Sequence, residues 1–393
     1  MTDEEFLSSF PLVKRHPFLP HVFSYEKGDY EFGKRALYDL GAYSIQDAAA
    51  MLPAFVLNPQ EGETVLDLCA APGGKTIFMS LLCAQKALVI ANDLSFPRAK
   101  DLSSNVERMG LGNAVVVNDD FSKIRAPKEG AFDAIMLDAP CSGTAMFRKS
   151  SQAEGEWSPN KMGRCLSLQL SLLEQAYLFL KPGGRMVYST CSFCFEEDEG
   201  ALLSFLSRHG DMKPVELEER EGYFHGEALK EAVYLFPHRF QGEGQFFCLL
   251  KKEGAPSFRP AKKQEISRQC DDFISFYGLG ERFNFRQGDA FWSLPFPSPD
   301  LPLHVLRNGV KVSSFPFEEP DFALAHFLSS SGGLELSEKE ALSYLKGETL
   351  PLRLPDGFYL ASCRSMGLGF FKMAKGKMKN KYPKGLRRFY RVF

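Results

Sequence analysis

Two cysteines of this 393-residue chain stand in settings that favour chemistry over packing. Asp138-Ala139-Pro140-Cys141-Ser142-Gly143 and Ser189-Thr190-Cys191-Ser192-Phe193 each place a thiol just past an apolar run that reads as a strand. A thiolate is a strong nucleophile toward electrophilic carbon. Added to C6 of a cytosine, it would make the poorly nucleophilic C5 enamine-like and able to take up a methyl group. Asp138 is suited to hold the N4/N3 edge of such a base and to stabilise the intermediate. A second cysteine could assist elimination once the C5 proton is lost. Cys83, Cys165, Cys248, Cys270 and Cys363 have no such setting and read as small buried hydrophobes. Cys191 and Cys194 form a C-x-x-C pair, half a zinc site; with no second pair or suitable His pair, no metal is expected.

A second cluster surrounds Cys69-Ala70-Ala71-Pro72-Gly73-Gly74-Lys75-Thr76. A Walker A loop needs Gly where Cys69 stands, and the pattern G-x-G-x-x-G is absent, so ATP and NAD fit poorly. Small residues at 70 to 74 still let a ligand approach the backbone closely. A helix opening at Lys75 would offer free N–H groups to a carboxylate. Asp93 follows the next apolar run, where an acid accepts hydrogen bonds from a ribose diol, and Asp120 follows the one after, where it can reach an adenine amino group. That set suits S-adenosylmethionine. The competing reading makes the same aspartates ordinary helix N-caps.

These groups need elements to hold them. Apolar runs at Thr64–Leu68, Leu88–Ala91, Ala114–Val117, Phe132–Leu137 and Arg185–Tyr188 predict strands. Helices are predicted over Lys75–Ala84, Pro97–Met109 and Leu166–Leu180, the last stopped by Pro182-Gly183-Gly184. Val233–Phe236 and Gln245–Leu250 read as a hairpin. Alternating strands and helices imply an α/β fold with a mostly parallel, doubly wound sheet, whose ligands bind beyond the carboxyl ends of the strands. The division expected is a short N-terminal segment (1–60), a catalytic domain (61–252), a linker (253–272) and a C-terminal α+β region (273–393).

The net charge of −2 conceals an asymmetry. No acid follows Asp356, while ten basic residues do: Arg364, Lys372, Lys375, Lys377, Lys379, Lys381, Lys384, Arg387, Arg388 and Arg391. The preceding chain therefore carries about −12. Basic residues interleaved with Phe370, Phe371, Tyr382, Phe389 and Tyr390 suggest a folded surface for a polyanion. Lys251/Lys252, Lys262/Lys263 and Arg148/Lys149 are further candidates for RNA contact. No apolar stretch reaches roughly 18 residues, so no membrane span is expected. The irregularly spaced cysteines argue for a reducing, cytoplasmic setting over a disulfide framework.

VLDLCAAPGGKT (65–76), FDAIMLDAPCSGTAMFRK (132–149) and GGRMVYSTCSFCFEEDE (183–199) resemble the RNA 5-methylcytosine methyltransferases of the Nop2/Sun/RsmB superfamily. PHRFQGEGQFF (237–247), YLKGE (344–348) and LGFFKMAKGKMKNKYPKGLR (368–387) are similar to the narrower ribosomal RNA small subunit methyltransferase F group, with its PUA-like RNA-binding end. The resemblance implies a Rossmann-like fold with S-adenosylmethionine wrapped by Cys69 to Lys75. Asp93, Asp120 and Asp138 would complete or border that site. It implies Cys191 as nucleophile and Cys141 as the group that helps release product, with 16S rRNA or the assembling small subunit as substrate; separately, a monomer is expected. Three features depart from the pattern: the short N-terminal segment, Tyr234 where an arginine is usual, and Thr144-Ala145 where Glu-Gly is usual. The alternative is a catalytically weak RNA-binding assembly factor that keeps the fold.

Overall fold

The computed structural model describes residues 2–26, 28–149, 151–255, 277–314, 319–328 and 333–390. Most of the expected linker, Lys262 and Lys263, Cys270 and Arg391 lie outside the described residues.

Five strands form a parallel core: Thr64–Asp67, Leu88–Asn92, Ala114–Val117, Phe132–Asp138 and Leu180–Thr190. The chain starts at the centre with Thr64–Asp67 and steps outward through the next two strands. It then crosses back to lay Phe132–Asp138 and Leu180–Thr190 on the other side. The direction of winding reverses between Thr64–Asp67 and Phe132–Asp138, and such a reversal opens a crevice at the strand ends. Antiparallel strands flank the parallel set. Gln245–Lys252 pairs with Leu180–Thr190, and Val233–Leu235 pairs with Gln245–Lys252, as the hairpin pattern predicts. At the opposite edge Val305–Asn308, from the C-terminal half, pairs with Ala114–Val117.

Both faces of the sheet are covered, which explains why its strands read as continuous apolar runs. Val65, Val89, Ala134, Met136, Val187 and Phe247 face the Ala48–Leu57 helix and part of Gly74–Leu82. Their neighbours Leu66, Ile90, Ile135, Leu137, Met186 and Tyr188 point the other way, onto Leu173, Ala176 and Phe179 of the Pro159–Phe179 helix. The period-2 alternation of a strand produces this split.

The Pro182-Gly183-Gly184 signal acts differently from its reading as a helix stop. Leu180 already pairs with Phe132, the register then shifts, and pairing resumes at Ala134 with Arg185. The helix ends at Phe179, and the turn residues form an irregularity inside the strand span Leu180–Thr190. Gly184 sits where a Cβ would lie 2.9 Å from the Asp133 carbonyl oxygen, so the kink needs a residue without a side chain.

Two small sheets follow. Phe283–Gln287, Ala290–Leu294 and Val310–Ser314 form one, and Leu334–Glu335, Gly357–Cys363, Met366–Ala374 and Lys377–Asn380 form the other. The second shares its core with the N-terminal segment: Phe10, Val13, Phe32, Leu37 and Leu40 pack among Leu336, Tyr344, Leu368 and Phe371. Ion pairing ties the same parts, Arg388 lying 3.1 Å from Asp39, and the Tyr390 hydroxyl donates to Asp39 at 2.7 Å. No helix among the described residues is long and apolar enough to cross a membrane.

Candidate active site

The Gly-rich turn carries the chain from Thr64–Asp67 into the Gly74–Leu82 helix. Gly73 has φ +109°, in the region that favours glycine, and a Cβ there would meet Leu102 at 2.9 Å. It is the helix N-cap and supplies no side-chain bond, so the helix opens with N–H groups free to face an anion. Ala70 and Ala71 are buried. The turn is fixed from outside: Arg98 donates to the Ala71 carbonyl at 2.7 Å and Asn105 to that of Pro72 at 2.9 Å. Beneath it Asp67 is fully buried and accepts the Thr76 hydroxyl at 2.6 Å. Burial pushes the Asp67 carboxyl up to about 7, against the Thr76 bond.

A cleft of about 340 Å³ runs along these strand ends, lined by Leu68, Cys69, Asp93, Asp120, Phe121 and Pro140 among others. Burial holds the Cys69 thiol well above its usual range, so it stays protonated. Asp93 is 4% exposed. Its carboxylate accepts the Ser95 N–H at 2.9 Å and lies 3.3 Å from Arg98. A carboxylate has about four lone-pair sites, so two remain, the number a vicinal diol needs. Asp120 caps the short Phe121–Lys123 turn, taking both the N–H and the O–H of Ser122, which lowers its pKa. Its N-cap role is thus real, and it still borders the cleft. Apolar walls, a diol-sized carboxylate and an open helix N-terminus fit S-adenosylmethionine. A larger hollow, about 800 Å³, lies between the N-terminal segment, the Gly74–Leu82 helix and Ser365–Gly367; no predicted site residue lines it.

Pro140 at the cleft wall leads directly to the thiols. Cys141 and Cys191, from the ends of adjacent parallel strands, bring their sulfurs to 3.2 Å. The neighbour of Cys191 is therefore Cys141; its C-x-x-C partner Cys194 instead approaches the Ser142 hydroxyl, at 3.9 Å. The Cys141 bond holds the Cys191 thiol below its ordinary range, with Lys75 adding to the effect and burial opposing it. The same bond, together with burial, pushes Cys141 well up. The two shifts run in opposite senses, so Cys191 is the more readily ionised thiol of the pair. Asp138 stands beside them. Its Oδ2 accepts from Lys75 Nζ at 2.7 Å, and its Oδ1 from the Ser189 hydroxyl at 2.7 Å and Gln245 at 3.2 Å. Three donors fix the carboxylate and leave one site of about four for a further donor.

Cys141, Cys191 and Asp138 lie together, and of the residues predicted to hold a cofactor Cys69, Asp93 and Asp120 line one cleft, while residues 70–75 and Asp138 are not part of its lining. Sequence reasoning missed Glu197, Asp198 and Glu199. All three are buried. Glu197 binds Ser142 and Ser192, Asp198 accepts the Thr190 hydroxyl at 2.6 Å, and Glu199 accepts the N–H groups of Ala228 and Leu229 at 2.7 Å each. They belong to a run of four acids that begins at the exposed Glu196, and such a run ordinarily marks a solvated face; the signal that these three do not is their place directly after a cysteine motif. Cys83, Cys248 and Cys363 are buried as expected, and Cys165 is half-buried.

The expected RNA contacts need one correction. Lys252 is turned inward: its ammonium donates to the Tyr177 and Leu180 carbonyls at 3.0 Å each and lies 3.9 Å from the centre of the Tyr177 ring. Lone carbonyls at the end of the Pro159–Phe179 helix capture it. Arg148 bonds Glu243 and the Gly242 carbonyl. In the tail, Arg364, Lys381 and Arg388 form ion pairs. Lys375, Lys377, Lys379 and Lys384 stand exposed, with Met378 buried between two of them.

Residues 54–251 match the family described as 16S rRNA methyltransferase RsmB/F. The chain belongs to that family. Residues 333–388 match the methyltransferase RsmF PUA domain. A ribosomal RNA small subunit methyltransferase F of Shewanella loihica is 32% identical over 382 residues, covering 88% of this chain and 78% of the relative. One from Vibrio parahaemolyticus is 28% identical over 396 residues, covering 92% and 82%. A methyltransferase homologue from Pyrococcus horikoshii superposes with a TM-score of 0.56 at 27% identity, covering 64% of this chain and 83% of that one. NSun6 from the same organism, solved with SFG, an S-adenosylmethionine analogue, gives 0.50 at 28% identity, covering 57% and 56%. The chain is thus a Rossmann-like, S-adenosylmethionine-dependent RNA methyltransferase with a C-terminal PUA domain.

Proposed function

We propose that this RsmB/F-family chain methylates C5 of a cytosine in 16S rRNA, free or in the assembling small subunit, through a covalent bond from Cys191 to C6. The observation that carries the proposal is the 3.2 Å contact between Cys141 and Cys191 beside the Lys75–Asp138 pair. Cys69 to Lys75, Asp93 and Asp120 would hold the cofactor, which supplies an electrophilic methyl when bound. Cys191 is the group whose thiolate is stabilised, so it adds to C6, and C5 gains the electron density needed to take up the methyl. The free site on Asp138 accepts the N4 amino group and orients the ring. Lys75 stabilises negative charge spread over the base during addition. Once the C5 proton has left to solvent, the C5–C6 double bond re-forms and the Cys191–C6 bond breaks, with the Cys141 S–H assisting by donating again to the departing Cys191 thiolate. A paired base cannot reach a half-buried thiol, so the target is flipped out or already single-stranded.

The RNA is positioned by the exposed lysines of the tail through phosphate contacts. We further propose that 61–252 carries the chemistry and 273–393 the RNA affinity, and that the chain acts as a monomer in the cytoplasm. The test incubates the protein with labelled S-adenosylmethionine and small-subunit RNA, followed by nucleoside analysis. Label in 5-methylcytosine supports the proposal. Label in another nucleoside refutes it. RNA binding without methylation of naked RNA or of partly assembled subunits would favour the assembly-factor reading.

A further inference from the structure

One fully buried carboxylate touches both thiol-bearing loops. Glu197 Oε1 accepts the Ser142 N–H at 2.8 Å and Gln169 Nε2 at 3.3 Å. Its Oε2 accepts the Ser142 hydroxyl at 2.5 Å and the Ser192 hydroxyl at 2.7 Å. Ser142 follows Cys141 and Ser192 follows Cys191, so the two loops meet at a single side chain, one residue beyond each sulfur. A third element joins them: Gln169, on the Pro159–Phe179 helix, also donates to the Pro140 carbonyl at 2.9 Å. The segment bearing Glu197 is itself fixed, because its carbonyl accepts the Tyr188 hydroxyl at 2.6 Å. A buried carboxylate stripped of water is stable only while donors surround it. All four donors are present in one arrangement of the loops, the arrangement that puts the sulfurs in contact. Such a saturated network rigidifies what it holds.

We propose that Glu197 is a positioning residue that sets the separation of the two catalytic thiols by binding the serine after each; this rests on the assignment of Cys191 and Cys141 made above. It touches no reacting atom. The two arms have different consequences. Ser192 places the nucleophile, so losing its hydroxyl slows formation of the RNA adduct. Ser142 places the group that assists release, so losing its hydroxyl lets the adduct persist.

The test uses the full chain with small-subunit RNA and S-adenosylmethionine. A Cys191→Ala variant that still forms adduct would overturn the thiol assignment itself, whatever Glu197 does. With that assignment standing, Glu197→Gln is expected to lower kcat on the order of 100-fold, the cost of a misplacement near 1 Å. KM and cofactor affinity should stay close to wild type, and the pH at which Cys191 becomes reactive to iodoacetamide should rise. An unchanged kcat and pH profile, or a fall in cofactor affinity matching the fall in rate, overturns the proposal. If Glu197→Gln does not fold, Ser142→Ala and Ser192→Ala decide. Adduct that persists in the first and forms slowly in the second supports it; wild-type kinetics in both overturns it.

Discussion

Replacing Cys141 by alanine should make Cys191 harder to ionise, by an amount the geometry bounds. The two sulfurs are 3.2 Å apart, and the Cys141 bond is the largest influence lowering the Cys191 thiol. A hydrogen bond to a charged acceptor contributes about 1.5–3 kcal/mol. The S–H group is a weak donor, so the lower end, about 1.5 kcal/mol, applies. Since one pKa unit corresponds to about 1.4 kcal/mol, the inflection should rise by roughly one unit. The sign follows from which form the bond stabilises: it favours the thiolate, so its loss removes thiolate at every pH below the new inflection. Near neutrality Cys191 should react about tenfold more slowly, and at high pH at the wild-type rate. The assay is alkylation by iodoacetamide across a pH series, with the Cys191 peptide followed by mass spectrometry and no RNA present. Cys141→Ser, which keeps an O–H donor, should recover part of the shift. An unmoved inflection would show that the Cys141 bond does not stabilise the Cys191 thiolate, and a rate reduced equally at all pH values would mark a steric effect instead.

Asp93→Asn should weaken S-adenosylmethionine binding about tenfold to 100-fold, the loss of one charge-assisted hydrogen bond at about 1.5–3 kcal/mol, while leaving the iodoacetamide profile of Cys191 unchanged; calorimetric titration and the alkylation assay check the two halves. Changing Lys377, Lys379 and Lys384 to Gln should flatten the slope of log affinity against log salt by about two, from roughly 0.7–0.9 per phosphate contact, read by RNA filter binding at several salt concentrations. An unaltered slope would remove the tail from the RNA-binding surface.

The strands and the acids at their ends were legible because both faces of the sheet are buried. An apolar run such as Ala114–Val117, followed at once by polar residues, leaves little choice of register. The Gly-rich turn and the two cysteine motifs were legible for a related reason: small residues and thiols at strand ends have few purely structural uses. Local pattern gave no access to contacts made far along the chain. Phe10 and Phe32 packing with Tyr344 and Leu368 is such a contact, and so is Val305–Asn308 on the edge of the central sheet. Lys252 illustrates a charge whose partners are backbone carbonyls of another element, invisible to any count of basic residues. Glu197 and Glu199 were hidden by the same limit, their donors lying up to 55 and 35 residues away.

The most direct test of the covalent account uses RNA containing 5-fluorocytosine at the target, where fluorine on C5 prevents the proton loss that release requires. Wild-type protein incubated with this RNA and S-adenosylmethionine should form a denaturation-resistant adduct, and digestion should place the nucleotide on Cys191. Cys141→Ala should form the same adduct more slowly near neutral pH, and Cys191→Ala none. An adduct mapped to Cys141, or efficient methylation of ordinary RNA by Cys191→Ala, would contradict the account.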